Sequence, residues 1–439
     1  MIIAIGVLIS LAFNNESWVM QRLYAFYINL ALFFGTSMFI NLIVFFERAD
    51  LILFQTLVSL MAFWVLYNYC KFKPRTHLIV PWFSVSLLVA VSQVILTRLD
   101  VDFAFAQLKW LAISILITLV IIRLMPLIFK MRYANLYGII TIILLFLPFI
   151  SGETINGAMN WVKIGGHTFQ PSEFAKLSYV IAIAIYLENY QTKNNKYELA
   201  KLLILTLVVL LTLTVQRDLG SASLYFCVVL VMFYVATGKV KEILCALILG
   251  AGAISILAPK ITYIQSRIEA WINPWENLST SGYQFAQGMF SMGTWGWLGS
   301  GLTNGMPTKV PYVTTDYIFV AIVEELGIVA GLSVVACYII IAFWGLGVSI
   351  NKPPTWHKYI ILGYTTLIAT QSILILGGIV QLLPLTGVTL PFVSYGGSSL
   401  LSLMINLGIV SMLSYPQTVP KKSPNFLNKF KKRKEEFGI

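Results

Sequence analysis

The sequence predicts an all-α, polytopic membrane protein, and three observations lead to this fold class. Of the 439 residues, 58% are hydrophobic and only 11% are charged, and the mean hydropathy is +0.82. A water-soluble domain of this length does not reach such values. Apolar runs of membrane-spanning length recur from end to end, separated by short polar loops, as in a helical bundle. A transmembrane β-barrel would show shorter, alternating segments instead.

Twelve apolar runs are predicted as helices, each long enough to be one element of the bundle. Short loops with Lys, Asn, Pro and Gly separate them. The predicted helices cover roughly 23–46, 51–70, 78–97, 108–129, 136–150, 172–189, 202–216, 219–237, 242–258, 317–346, 360–382 and 391–415.

The basic residues predict the orientation of this bundle. Threading the helices alternately places nineteen Lys and Arg residues of the loops and C-terminus on one side and six on the other. The positive-inside rule makes the first side cytoplasmic, so the C-terminus is expected inside. The tail over 416–439 is expected to touch anionic membrane lipid, with a specific partner site as the alternative.

On the outer side, the predicted loops are 98–107, 151–171, a tight turn at 216–218, 259–316 and 383–390. The segment 259–316 is by far the longest, although a bundle needs only a few residues to reverse direction. Its tryptophans suit a folded cap at the headgroup level rather than a disordered loop. The long loop is therefore predicted to carry functional residues.

Composition also disfavours several classes of protein. The net charge of +12 comes from residues between apolar runs and at the C-terminus, so membrane topology explains it better than nucleic acid. The four cysteines lie in or beside apolar segments, which argues against a disulfide framework. The three histidines are dispersed, which argues against a metal cluster.

Two polar stretches lie at predicted helix starts. In 157–176 Pro171 suits the first turn, and Glu173 is three residues from Lys176, close enough to pair. The pair is either a simple cap with one ion pair or the support of a polar cavity at the membrane edge. In 215–223 Arg217 and Asp218 either neutralise each other or contact a ligand.

Asp316 lies where the long outer loop meets an apolar helix, with Thr314 and Thr315 placed to cap its first turn. The carboxylate is either structural, stabilised by the helix dipole, or a general base beside a basic, Gly-rich loop. On a regular helix from 317, only Glu324 of the pair Glu324–Glu325 could share its cavity.

The stretch 382–399 combines proline, glycine and hydroxyl residues and cannot form one regular helix. Irregular backbone at membrane depth occurs where protein or a water-filled cavity satisfies its polar groups. We therefore expect it to line a groove, with a glycine kink that only aids helix packing as the alternative.

Together these stretches resemble the SEDS family (shape, elongation, division and sporulation), whose members include FtsW, RodA and SpoVE. The resemblance covers about residues 78–415 and rests on motifs in the family's order: Trp161 with QPSEFAK (170–176), QRDLG (216–220), WINPWEN (271–277) with SGYQ (281–284), TTDYIF (314–319) with EELG (324–327), and LPLTGVTLPFVSYGGSS (383–399). It implies a ten-helix core over 78–415. Residues 1–75 then form an N-terminal addition with about two helices.

The resemblance implies a peptidoglycan glycosyltransferase that polymerises lipid II at the outer face of the bacterial cytoplasmic membrane. It also implies a class B penicillin-binding protein as partner, and Asp316 as the catalytic base. No metal-ligating residues are assigned, although a divalent cation such as Mg²⁺ or Mn²⁺ is one way to offset the negative charge of the pyrophosphate that leaves. The expected substrate-binding residues are Lys163, Glu173, Lys176, Arg267, Gln284, Ser394, Gly396, Gly397 and Ser398.

The chain departs from the family pattern at four places. Thr314 replaces a His, Arg217 a Pro, Asn277 with Leu278 an Asp-Pro pair, and Ile375 an Asn. The WINPWEN motif is closer to the division and sporulation branches of the family than to the elongation branch. Two other functions stay open on the sequence: a transporter of lipid-linked cell-wall precursors, and a non-catalytic scaffold for a transpeptidase.

Overall fold

The computed structural model describes residues 79–128, 133–155, 157–164, 167–193, 195–257, 261–276, 278 and 282–414. The predicted helices 23–46 and 51–70, with the rest of segment 1–75, lie outside the described residues. So does the basic tail over 416–439.

The described chain is a helical bundle with one small sheet, which confirms the all-α prediction for the membrane part. Seven of the described helices are long and apolar enough to cross a membrane, so this is a multi-pass membrane protein. In chain order the helices are α1 (Ile79–Leu99), α2 (Val101–Ile128), α3 (Ala134–Ser151), α4 (Pro171–Lys193), α5 (Lys196–Val215), α6 (Leu219–Thr237), α7 (Val240–Leu257), α8 (Thr262–Ile272), α9 (Tyr283–Thr294), α10 (Ile318–Ile350), α11 (Trp356–Ile379) and α12 (Gly397–Leu413).

The loop predicted over 98–107 is wrong, because only Asp100 separates α1 from α2. Its carboxylate accepts hydrogen bonds from the backbone N–H groups of Asp102 (2.9 Å) and Phe103 (3.2 Å), which satisfies donors that the start of α2 would leave free. Polar residues in this region thus belong to a helix start, not to a loop.

The predicted outer loop 151–171 contains a three-stranded antiparallel sheet. Strands β1 (Gly152–Ile155), β2 (Ala158–Ile164) and β3 (His167–Phe169) pair in sequence order, with Lys163 opposite Thr168. The strands are too short for their alternation to stand out in the sequence. The sheet leads directly into α4 and so forms one wall beside its first turn.

Two apolar cores organise the bundle. One joins α1, α2 and α10 with the loop around Val388–Val393, and the other joins α3, α4, α5, α6 and α11. Helices α11 and α12 contribute to both, with Ile368 and Leu403 in the first core and Leu367 and Ile405 in the second. The two cores therefore meet along α11 and α12. Helix α12 begins at Gly397 and not near residue 391 as predicted.

Helix α10 is broken near its start. Gly327 has φ 85° and ψ 170°, a conformation open to glycine and outside the helical region. The loop before α10 covers the break, since Ile328 N donates to Gly296 O (3.3 Å) and Ser300 N donates to Glu324 O (2.8 Å). The predicted uninterrupted helix 317–346 is thus two pieces, and the first, Ile318–Leu326, is packed inside the protein.

Candidate active site

A cavity of about 640 Å³ lies among the loops that join the two cores at one end of the bundle. Its walls come from β2 and the start of α4, the α5–α6 turn, the helices α8 and α9, the segment before α10, and the chain from Gly378 to Ser399. The stretch 382–399 therefore lines a groove, as its irregular composition predicted. Regions that are far apart in the sequence therefore meet here.

Asp316 lies on the wall of this cavity, two residues before α10. Surrounding protein raises the pKa of its carboxyl from the usual 3.8 to about 6, while the positive charge of Arg267 and a hydrogen bond from Thr315 oppose that rise. Its side chain faces the cavity, where a substrate hydroxyl has access. A carboxylate with such a pKa is suited to take a proton near neutral pH.

The predicted capping of α10 by Thr314 and Thr315 is wrong. Tyr317 is the N-cap residue and its side chain makes no capping bond, whereas Thr315 bonds back to Tyr312 O. The segment is instead held by the chain before α12: Tyr395 N donates to Thr314 O (3.0 Å), and the Ser394 hydroxyl donates to Thr315 O. Backbone contacts of this kind fix the position of Asp316.

Arg267 reaches the site from α8. Its guanidinium donates to Leu385 O. Two more hydrogen bonds hold α8 against the same loop: Trp271 Nε1 donates to Gln381 O (2.9 Å), and Gln381 Nε2 donates to Trp271 O (2.8 Å). A Cβ on Gly387 would lie 3.3 Å from the Arg267 guanidinium and 3.7 Å from the Asp316 carboxylate. Gly387, with φ +73°, lets the loop pass beside both charges.

Glu173 and Lys176 form a buried ion pair with Nζ 2.6 Å from Oε1. The second carboxylate oxygen accepts from Ser402 Oγ on α12 (2.9 Å). Glu173 lines the cavity and Lys176 lies behind it. The pair is thus more than a simple helix cap, because it joins α4 to α12 beside the cavity.

Asp218 is the N-cap of α6, where its carboxylate accepts from Ser221 N (3.0 Å) and Ser221 Oγ (2.8 Å). It also accepts from Asn160 Nδ2 (2.7 Å) and Gln170 Nε2 (3.1 Å). The predicted alternative that Arg217 and Asp218 neutralise each other is therefore wrong. Asp218 is buried and hydrogen-bonded to these neighbours, whereas Arg217 is exposed on the cavity wall with φ 61°.

Most of the predicted site residues meet in this cavity. Those that line it are Glu173, Arg267, Gln284, Asp316, Gly396, Gly397 and Ser398. Three predicted residues do not line it. Lys163 is exposed on β2, Lys176 is behind Glu173, and Ser394 holds the Asp316 segment.

Sequence reasoning missed Asn160, Gln170 and Asp218 as one connected polar wall. The Asp-x-x-Ser spacing of Asp218 and Ser221 is a helix-start signal that predicts the cap. Nothing local predicts that a strand residue and a residue before another helix would bond to the same carboxylate. That arrangement depends on the fold.

Glu324 and Glu325 are buried and do not line the cavity, contrary to the expectation that Glu324 could share it. Glu324 Oε1 accepts from Met306 N (2.7 Å), and Glu325 Oε1 is 3.0 Å from Arg98 Nε on α1. Helical angles measured from Asp316 do not apply here, because Asp316 precedes the first residue of α10, Ile318. Both glutamates secure the loop that covers that break.

Within the described ranges, no group of three or more His, Cys, Asp and Glu side chains could hold a metal ion.

The family model for the FtsW, RodA and SpoVE cell cycle proteins matches residues 75–418. The chain belongs to this FtsW/RodA/SpoVE family. The peptidoglycan glycosyltransferase RodA of Mycobacterium leprae is 32% identical over 305 residues, 66% of this chain and 65% of that protein. The chain thus spans just under two thirds of that RodA. A probable peptidoglycan glycosyltransferase FtsW of Wigglesworthia glossinidia brevipalpis is 32% identical, over 70% of this chain and 82% of the relative.

Solved structures of the FtsW/RodA/SpoVE family have the same fold. A chain from a study of the structural coordination of polymerization and crosslinking by a peptidoglycan synthase complex aligns with a TM-score of 0.66 and 26% identity, covering 77% of this chain and 98% of that one. The crystal structure of the rod shape determining protein RodA of Thermus thermophilus aligns with a TM-score of 0.58 and 27% identity, over 76% and 95% of the two chains.

Proposed function

We propose that this protein is a peptidoglycan glycosyltransferase that polymerises lipid II into glycan strands. The observation that carries the proposal is Asp316, a carboxylate with pKa about 6 that faces a cavity of about 640 Å³ beside Arg267. Membership of the FtsW/RodA/SpoVE family and relatives named peptidoglycan glycosyltransferase support it.

In the proposed reaction, Asp316 removes the proton from the 4-hydroxyl of the acceptor GlcNAc as that oxygen attacks the anomeric carbon of the donor MurNAc. The new bond joins the acceptor oxygen to the anomeric carbon. The bond from that carbon to the phosphate oxygen breaks, and undecaprenyl pyrophosphate leaves with the bonding electrons. Asp316 retains the proton until water removes it.

The cavity walls support this reaction by orientation and charge. Arg267 is the cation beside Asp316 and is placed to offset charge on the departing pyrophosphate. Glu173, Gln284, Gly396, Gly397 and Ser398 shape the binding surface. A divalent cation such as Mg²⁺ or Mn²⁺, which would offset charge on the leaving group, stays a prediction.

We further propose that the site faces the outside of the bacterial cytoplasmic membrane and that the C-terminus is cytoplasmic, as the distribution of basic residues predicts. A class B penicillin-binding protein that cross-links the strands is the proposed partner. The relative solved in work on a peptidoglycan synthase complex supports this part. The process that the two proteins would serve is cell division, elongation or sporulation.

The test is polymer formation from purified lipid II, with the protein alone and with a candidate transpeptidase, for the wild type and Asp316→Asn. We expect glycan strands from the wild type and a near-complete loss with the amide. Equal polymer from both proteins would refute Asp316 as the base.

Two other outcomes would replace the proposed function. Transfer of labelled lipid II across liposome membranes without any polymer would favour the transporter. Stimulation of the transpeptidase by both proteins, without polymer from either, would favour the scaffold.

A further inference from the structure

Arg217 is a cation on the cavity wall that the proposed reaction does not use. It lies in the α5–α6 turn with φ 61°, a conformation that is unfavourable for a non-glycine residue. Its side chain is exposed and makes no hydrogen bond or ion pair with any residue that the structure describes. By contrast, the neighbouring charges Glu173 and Asp218 are fully engaged with protein partners.

Asn160 on β2 is an unsatisfied acceptor in the same wall. Its side chain is only 6% exposed, and its Nδ2 donates to Asp218 Oδ2 at 2.7 Å. Oδ1, by contrast, receives no hydrogen bond within the described part of the chain. Buried side-chain oxygens are normally paired, so this atom is suited to a donor that a ligand brings.

The two residues share one corner of the cavity. Met159 N donates to Gln216 O (3.1 Å), and Asn160 bonds to Asp218, so β2 grips the turn on both sides of Arg217. The same turn approaches the loop next to Asp316, since a Cβ on Gly220 would lie 2.6 Å from Thr386 O. This corner therefore adjoins the loop beside Asp316.

We propose that Arg217 and Asn160 form a substrate subsite for an oxyanion that has an N–H or O–H donor beside it. The guanidinium would bind the oxyanion, and Asn160 Oδ1 would accept from the neighbouring donor. This inference rests on the proposed function, since lipid II has two such groups. One is its pyrophosphate, beside the acetamido N–H of MurNAc; the other is a carboxylate of its peptide, beside an amide N–H.

The test measures the dissociation constant of fluorescent lipid II for the full chain in nanodiscs, together with KM and kcat for polymerisation. Arg217→Asn removes the charge and suits a positive φ, and Arg217→Gly is a second neutral variant that also suits it. We expect both to raise Kd and KM about tenfold or more with little change in kcat. Arg217→Lys should recover most of the affinity, and Lys309→Gln, which removes a charge outside the cavity, should match the wild type.

Repeating the measurement with lipid II that lacks the peptide identifies the oxyanion. If the difference between wild type and Arg217→Asn disappears, the peptide carboxylate is bound; if it persists, the pyrophosphate is bound. Equal Kd values for wild type and both neutral variants would overturn the subsite. If Kd depends on Arg217 but the wild type makes no polymer, the subsite stands and the glycosyltransferase function fails.

Discussion

Asp316 and the pair Glu324–Glu325 lie within ten residues of one another, yet they occupy opposite kinds of environment. Asp316 faces a cavity and has few protein partners, so its acidity can be used on a substrate. Glu324 and Glu325 are deeper and are bound to Met306 N and Arg98. Burial of a carboxylate therefore does not by itself mark a reactive group; access from a cavity combined with few protein partners does.

The largest expected effect separates these acids by activity. Asp316→Asn should lower the polymerisation rate about 10²- to 10⁴-fold, the usual contribution of a general base. Glu324→Gln, which leaves Oε1 able to accept from Met306 N, should stay within about twofold of the wild type. Initial rates with lipid II decide the matter, and a comparable loss in both variants would mean that the two regions are not functionally distinct.

The next effect concerns stability. Arg98→Ala leaves Glu325 without its cation and should lower the free energy of unfolding by about 3 kcal/mol, the lower end for a broken buried pair because the Arg98 side chain is 24% exposed. Thermal unfolding in detergent measures it. Lys309→Ala, which removes an exposed charge in the loop before α10, is the control. An Arg98→Ala protein as stable as that control would contradict the structural role.

The pH dependence of the rate distinguishes an accessible acid from a structural one. Asp316 acts when ionised, so the rate should be half-maximal near pH 6 and fall about tenfold for each further pH unit of acidification. Because the charge of Arg267 lowers this pKa, Arg267→Gln should move the midpoint to higher pH. Glu324→Gln should leave the profile in place; a midpoint that follows Glu324 instead would assign the titration to the wrong acid.

The smallest expected effect is on the support of the accessible site. Trp271→Phe removes the bond to Gln381 O (2.9 Å) that docks α8, worth about 1 kcal/mol, and should reduce the rate about fivefold. Trp275→Phe is the matched control, since Trp275 is 53% exposed and does not line the cavity. If both substitutions have the same effect, the position of α8 does not limit the reaction.

The membrane fold follows from composition because apolar runs longer than a bilayer core have few alternatives. Asp316 and the groove at 382–399 were also predictable, since each combines costly polar groups or broken backbone with an apolar setting. Those signals are local in the chain, whereas Arg267 was expected only through the resemblance to the family.

The missed features depend on distant parts of the chain. The break at Gly327 needs the 296–300 loop to satisfy its backbone, and the wall around Asp218 needs β2 and the residue before α4. Local residues alone predict a regular helix over 317–346, because these distant partners leave no signal nearby in the sequence. The helical angle between Asp316 and Glu324 does not apply, since Asp316 precedes α10.

The interruption at Gly327 also divides α10 into one piece that can span the membrane and one that is packed inside the protein. Ile328–Ile350 alone is 23 residues, about 34 Å of helix, enough to cross the hydrocarbon layer. The shorter piece, Ile318–Leu326, is packed inside the protein instead, and the segment with Asp316 just before it is held by the chain before α12. A thinner or thicker bilayer can then tilt the spanning piece, while the height of Asp316 in the membrane is set by these separate contacts.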